Sequence, residues 1–541
     1  LRFSELGGLA DRVYIDDVAM VETDATDDRP PIHRTDLSVF EFPEHRYRVE
    51  HSEEEIKVIR ASLAGKDITE HRWVQDAEPW LTRQLHFFEE GSDKKFFTIG
   101  RNCPVDATHM EPVIHTDGSA RMRCPECGRT YHNEAQRACA RAMINEQMAR
   151  GAGRLGQAYA LTGDTRYAGR AAEILLGIAG RYKQWGGGSH AVLYQLRESY
   201  GFLIPLTSAY DYIYDSGVLS SKNKKMIEED LFRVAAEYYT DHANTNGRMN
   251  NRGAIHNRSV MAIGVVIEDK GFVDQALNSP YSGFHALAAR VYDSDGFAWE
   301  GFGYHTYTVS GLSPIAEMAY RVGINVYDDP NYRRIFEAPP RMLLPGEEAM
   351  PDAYQIACKR FAEIGQAMDY PFGEDAADRQ PPPTYLFRDF GYGVLRSGQG
   401  EDQSYLSMTF GKEAMFMGHA PAVKFGMVYY ANGRLLTPMG AASYGRELCG
   451  GWSRRTIAHN AVNVDDRDQW GRTQGELVAF EPTPRCQVMR ASDHGAYGSV
   501  TVDRTLFLTD AYVVDLSSTR AEEGEHRYDL CYRVYGDWNC E

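Results

Sequence analysis

The chain changes its hydrophobic period once, and that change constrains the fold more than any other feature. From about Ala135 to Met342 apolar residues recur at three-to-four spacing, through 138–161, 167–182, 191–214, 224–241, 255–267, 272–292 and 307–322. This is the pattern of amphipathic helices. The breaks, such as Thr162-Gly163-Asp164 and Asp215-Ser216-Gly217, are short, so neighbouring helices are expected as antiparallel hairpins. No fixed repeat length emerges, which points to a toroid or bundle rather than a regular solenoid. Past Pro381-Pro382-Pro383 the period becomes two, and 404–410, 424–431, 461–464, 497–502, 505–508 and 512–516 read as strands between Gly- and Asp-rich turns. Helices first and strands afterwards imply separate units. The expected fold is therefore multidomain α+β, a helical (α/α) toroid followed by an antiparallel β-sandwich domain. Its divisions are an N-terminal region at 1–134, the toroid at 135–380 and the β-domain at 381–541. Within the first region, 24–34 reads as a polar loop, 53–63 and 73–88 as helices, and 101–134 as a loop-rich insert. The last residues, Asp537 to Glu541, follow a strand-like run with no closing element, so the β-domain is expected to continue beyond them.

Charge narrows the partners. With 76 acidic against 58 basic residues the net charge is −18, so the general basic field that non-specific nucleic-acid and anionic-membrane binders use is missing. A locally basic cleft for an anionic substrate remains open. No stretch approaches the ~20 apolar residues of a membrane span. No leader is visible either, and the chain starts at Leu1; a periplasmic or secreted location is the expectation, with the cytoplasm as the alternative. Aromatics reach 12%, including 33 Tyr and 7 Trp, which suits stacking on sugar rings as well as β-rich packing.

Nine cysteines in 541 residues are too few for a disulfide scaffold. Three of them cluster. Cys124-Pro125-Glu126-Cys127-Gly128 has the C-x-x-C spacing that lets two thiolates share one ion. Cys103-Pro104-Val105-Asp106 reads as its mate with Asp in place of the second Cys. A structural zinc held by Cys103, Cys124, Cys127 and Asp106 is the expectation, with His109, His115 and His132 as alternative fourth ligands; two reduced buried thiols are the bland alternative.

Four further stretches carry chemistry. Asn250-Asn251-Arg252-Gly253-Ala254-Ile255-His256-Asn257-Arg258 places amides, an imidazole and two guanidiniums at the start of an apolar helix, where the dipole favours anions and where Asn is also an ordinary cap. Asp293 to Tyr307, DSDGFAWEGFGYHTY, reads as a loop entering the next helix, a natural site wall with a Tyr-His pair suited to proton transfer or to plain aromatic packing. Met417-Gly418-His419-Ala420-Pro421 and the run from Ser453 to Asp465 put His419 and His459 at strand edges.

Taken in order, these stretches resemble the heparinase II/III and oligoalginate lyase superfamily of polysaccharide lyases. DGFAWEGFGYHTY is similar to its DG…YEGSPGYH-like loop. RRTIAHNAVNVDDRDQ is similar to its S-x-x-AHNTVxVDGxxQ segment, and GHAPAVKFGMVYYANGRLLTPMG to its GHGHxDKLxLxLYANGxxLLxDPG segment. The resemblance runs from about Ile255 to Gln469 across both expected domains. It implies β-elimination from a uronic acid in an acidic oligo- or polysaccharide, leaving a 4,5-unsaturated end, and no organic cofactor. Such a reaction needs the carboxylate neutralised, a base for the C5 proton and an acid for the oxygen leaving C4. By position, Tyr304 matches the catalytic tyrosine, His256 the helical-domain histidine and His419 the first histidine of GHGH. Asn251, Asn257 and, less closely, Arg197 are carboxylate partners, while His305 and His459 fall in the substrate-facing segments. Some heparinase-like members hold a metal in the β-domain; two of its ligand positions are Pro421 and Thr437 here, so that site is not expected. The competing readings are a glycoside hydrolase using Asp293, Asp295 or Glu300, and a carbohydrate-binding protein without turnover.

Overall fold

In the computed structural model the described residues are 30–88, 100–185, 198–246, 249–298, 301–345, 354, 359–361, 383–398, 402–411, 422–438, 448–470 and 473–533. The helical part runs α1 (Glu53–Ser62), α2 (Arg72–Thr82), α3 (Glu134–Thr162), α4 (Thr165–Tyr182), α5 (Ile204–Ile213) and α6 (Ser221–Ile227). It continues with α7 (Arg233–Asn246), α8 (Asn251–Val266), α9 (Lys270–Asn278), α10 (Phe284–Arg290), α11 (Phe302–Arg321) and α12 (Pro330–Met342). π-Helical turns at Glu198–Leu203 and Glu228–Phe232 lead into α5 and α7. The ends follow local chemistry. Ser52 and Glu55 form a capping box on α1, Asn133 caps α3, and Gly163 at φ 73° closes it.

Several elements differ from the expected ones. The stretch 272–292 is two helices, because Pro280 cannot supply a helical N–H and Gly283 packs onto the Ser279 backbone. The helix expected over 73–88 stops at Thr82, where Arg83 turns extended. The insert, expected as loop, carries a small antiparallel sheet of β1 (Glu111–Ile114), β2 (Ala120–Arg123) and β3 (Thr130–Tyr131). Its Met110, Ala120 and Met122 are buried, and β1 and β2 pack on α3.

Buried small residues let the helices approach closely. α3 lies against α4 and α5, and α8 against α7, α9 and α11. The segment 45–49 crosses one end of this bundle. Arg48, fully buried, donates to Val265 O at 2.9 Å, and the Asp211 carboxylate accepts the backbone N–H groups of Arg48 and Val49 at 2.5 and 3.0 Å. A second tie holds residues 30–38: Thr35 Oγ1 meets His285 Nε2 at 2.8 Å, and His285 Nδ1 meets Asp329 at 2.6 Å.

The second part is built of antiparallel strands. One sheet runs β4 (Tyr385–Phe387), β5 (Tyr392–Ser397), β6 (Ser404–Thr409), β7 (Met427–Ala431) and β8 (Arg434–Leu436) in that order. After β9 (Val462–Val464), the other runs β10 (Glu476–Pro482), β11 (Gln487–Asp493), β12 (Val500–Leu508) and β13 (Val513–Ala521); β14 (Tyr528–Leu530) pairs back onto β9. The strands expected at 497–502 and 505–508 are one strand, β12, whose alternate residues Val500, Val502, Leu506 and Leu508 are buried. They share a core with Leu395, Leu406, Met408 and Met427 of the first sheet. Arg504 occupies an inward position of β12, fully buried, and its charge is met by Asp515 at 3.0 Å and by Asn460 O at 2.6 Å.

Candidate active site

The helical and strand parts meet around the turn that precedes α11. Ser294 N–H donates to Asp389 at 3.2 Å, and Asp389 N–H donates to Asp295 at 2.9 Å. Phe297 sits 4.3 Å from Phe390, ring centre to ring centre, in a small core with Ala338, Phe387, Val394 and Tyr405. Arg396 adds a bond to Leu343 O at 2.6 Å. The N-terminal end of α11 is thereby held at the junction with the sheets.

The relation of α8 to α11 follows from their ends. His45 Nε2 donates to Arg321 O at 3.2 Å and Arg46 to Val266 O at 3.1 Å, so both C-termini reach neighbouring residues of one segment. The helices cross where Gly311 meets Ala254, so close that a Cβ on Gly311 would lie 2.8 Å from the Ala254 backbone carbon. Were they antiparallel, the two C-terminal carbonyls would stand roughly 33 Å apart, beyond the reach of two adjacent side chains. They are parallel, and the N-termini of both lie at the opposite end. Tyr304, two turns before Gly311, shares its face toward α8. Asn251 and Arg258 lie three before and four after Ala254, on the stripe of α8 that faces α11. Tyr304 is half-buried in the first turn of α11 and Asn251 is 6% exposed in the first turn of α8. The loop expected to hold Tyr304 has thus already become helix.

Other expected residues are placed differently. His256 is two residues beyond Ala254, on the opposite face of α8, 2% exposed with its ring 5.0 Å from that of Tyr239. Its helical phase turns it away from the stripe toward α11, so it is not brought beside Tyr304 as Asn251 is. Asn257 donates to Ala276 O at 2.6 Å inside the core, tying α8 to α9 rather than meeting solvent. His305 is fully buried, stacked on Phe297 and Tyr354, and burial pushes its pKa down to about 3; it is a packing residue, not a cleft wall. His459, 7% exposed, bonds to Ser453 O at 3.1 Å, and burial lowers its pKa. Arg197, His419, Pro421 and Glu300 lie outside the described residues. Asp293 is fully buried and accepts Phe297 N–H at 2.7 Å; burial, with Asp295 and Asp389 nearby, raises its pKa to about 8. It is sealed at the junction, and Asp295 is engaged there too, so neither is offered to a glycosidic bond.

The α8 start also departs from a free anion site. Asn250 accepts the N–H groups of Arg252 and Gly253 at 3.1 and 3.3 Å, which uses two of the orphan donors. Positive charge comes instead from the two guanidiniums of that stretch, neither of which was assigned a site role from the sequence. Arg252 is half-buried in the first turn, with no ion pair among the described residues. Arg258 Nε is buried without a hydrogen-bond partner among the described residues, and burial lowers the pKa of the guanidinium against the pull of Glu50. The signal for Arg258 was the i, i+3, i+7 stripe of Asn251, Ala254 and Arg258.

The insert brings Cys103, Asp106, Cys124 and Cys127 together, their ligand atoms all within 4.8 Å of one another. His109 instead bonds to Asn102 at 2.7 Å, so Asp106 is the fourth member of the group.

A helical body joined to antiparallel sheets is also the fold of solved heparinase structures. Heparinase III shares it at a TM-score of 0.58 and 13% identity, over 90% of this chain and 77% of that one. Heparan sulfate lyase HepC from Pedobacter heparinus shares it at 0.54 and 15%, over 88% and 78%. The family model for alginate lyase matches residues 70–343, just over half the chain, and that for the heparinase II/III-like C-terminal region matches 379–541. Alginate lyase of Stenotrophomonas maltophilia is 25% identical over 87% of this chain and 70% of its own length; exo-oligoalginate lyase of Saccharophagus degradans is 22% identical over 69% and 61%. The chain belongs to the alginate lyase family within the heparinase II/III and oligoalginate lyase superfamily, and it is a polysaccharide lyase.

Proposed function

We propose that this lyase cleaves uronate-containing glycans of the alginate or heparin type by β-elimination, working from a chain end. The exo mode follows the exo-oligoalginate lyase relative. In this reading residues 135–380 form an (α/α) toroid and 381–541 a β-sandwich, and the substrate lies between them. Tyr304 is the proton-transfer residue. In a syn elimination its phenolate takes the C5 proton and the resulting phenol protonates the oxygen leaving C4, so one group serves as base and then acid. Asn251 donates its amide to the uronate carboxylate, which lets charge delocalise as the C5–H bond breaks. Arg252 and Arg258 are the cations assigned to substrate carboxylates. Arg197 and His419 keep their expected roles as carboxylate partner and as the β-domain's contribution. Because acidic polysaccharides are met outside the cytoplasm, a periplasmic or secreted location is part of the proposal. Among the described residues no helix is long and apolar enough to cross a membrane.

The observation that supports the reading is the close parallel crossing of α8 and α11 at Ala254 and Gly311, from which helical periodicity sets Tyr304 and Asn251 toward one another at the N-terminal ends. The test is Tyr304→Phe assayed on a panel of polyuronates by the ultraviolet absorbance of unsaturated products. Loss of one acid–base group predicts a fall of about 10²- to 10⁴-fold with KM little changed. Products without that absorbance would instead indicate hydrolysis, and an unaffected rate would remove Tyr304 from the chemistry.

A further inference from the structure

The insert before α3 holds a group of side chains that elimination does not use. Cys103-Pro104-Val105-Asp106-Ala107 and Cys124-Pro125-Glu126-Cys127-Gly128 fold into two matching turns. In each, the backbone N–H of the fifth residue donates to the carbonyl of the first, at 2.9 Å for Ala107 and 3.0 Å for Gly128. Both fifth residues are left-handed, Gly128 at φ 69° and Ala107 at φ 58°. A non-glycine residue held there costs energy, so the first turn keeps the shape of the second without its glycine. The two turns face each other, and their first and fourth residues supply the four ligand atoms.

Two opposite edges of the group match a tetrahedron, and the other separations lie within 4.8 Å. Zinc–sulfur bonds near 2.3 Å and zinc–oxygen bonds near 2.0 Å set edges of roughly 3.8 Å between sulfurs and 3.5 Å between sulfur and oxygen. Cys103 Sγ and Cys127 Sγ are 3.7 Å apart, and Cys124 Sγ lies 3.4 and 3.5 Å from the two Asp106 oxygens. All of the cysteines here are unbridged. Outer contacts suit thiolates: Cys127 N–H points at Cys124 Sγ at 3.4 Å, and Tyr131 OH lies 3.3 Å from Cys103 Sγ and 3.8 Å from Cys127 Sγ. Asp106 is the exposed member, while Cys103 and Cys124 are buried.

We propose that Cys103, Asp106, Cys124 and Cys127 bind one zinc ion whose role is structural, with Asp106 as the weak ligand and Tyr131 as a hydrogen-bond donor to the sulfurs. Four protein ligands close the tetrahedron and leave no position for substrate. The insert buries few apolar side chains of its own, so the ion supplies cross-links where a core is thin. The ion holds β1 and β2 against α3, the helix that also packs on α4 and α5. This site is independent of the lyase reading and stands or falls separately.

The test is metal analysis of the full chain produced in zinc-supplemented medium and desalted. The expected result is one zinc per chain, replaceable by cobalt with the intense sulfur-to-cobalt absorption of three thiolates in tetrahedral geometry. Cys124→Ser should abolish retention. Asp106→Cys should hold the ion roughly tenfold more tightly or better in competition with a chromophoric chelator, because a soft thiolate replaces a carboxylate. Tyr131→Phe should retain the ion with a shifted cobalt spectrum. A chain that carries no zinc and takes up no cobalt overturns the proposal. So does an Asp106→Cys variant with unchanged affinity, which keeps the test decisive where Cys124→Ser does not fold.

Discussion

Placing a methyl group on Gly311 sets it 2.8 Å from the backbone carbon of Ala254, 2.9 Å from its Cβ and 3.0 Å from its carbonyl oxygen. Carbon contacts ordinarily sit at about 3.5–4.0 Å, so α8 and α11 must part by roughly 1 Å. Overpacking of this kind costs about 1–3 kcal/mol, and exchanging Gly for Ala inside a helix returns about 1 kcal/mol. The net loss for Gly311→Ala is therefore about 0–2 kcal/mol, a fall in Tm of no more than about 8 °C. Activity should suffer far more. The same 1 Å displaces Tyr304 from Asn251 across a site that needs near-contact geometry, and a misplacement of that size costs on the order of 100-fold in kcat. Thermal melts followed by circular dichroism, with steady-state product absorbance alongside, separate the two effects. Adding Ala254→Gly removes the Cβ overlap but not the backbone ones, so recovery should be partial. Full kcat with a raised Tm in Gly311→Ala would refute the crossing on which the paired placement of Tyr304 and Asn251 rests.

Two other perturbations probe charge. Asp293 carries a folded pKa raised to about 8 from 3.8, mainly by burial, so the folded chain keeps its proton where the unfolded chain has lost it. Its contribution to stability is full below pH 3.8 and is lost as pH rises toward 8. Asp293→Asn keeps the acceptor for Phe297 N–H and should flatten the decline in Tm between pH 5 and 8; an unchanged slope would show that Asp293 is ionised there. Arg258→Met removes a guanidinium whose buried Nε has no partner among the described residues, which should leave Tm equal or higher while raising KM for an acidic glycan. Unchanged KM would confine Arg258 to packing.

The order of helices and strands was legible in the chain because periodicity is a local property, and so was the Asn250 cap, which acts on backbone within three residues. Cys103, Asp106, Cys124 and Cys127 were legible for a related reason: two copies of one short turn declare their own ligand spacing. What the sequence could not decide was which side of a helix meets which neighbour. His256 and Asn251 are five residues apart on α8, yet one faces Tyr239 and the other lies on the stripe toward α11. Helical phase relative to a distant partner depends on where Gly311 allows close approach and on the segment 45–49 that gathers both C-termini. These contacts join residues more than fifty apart, so they belong to packing and not to any window of the chain.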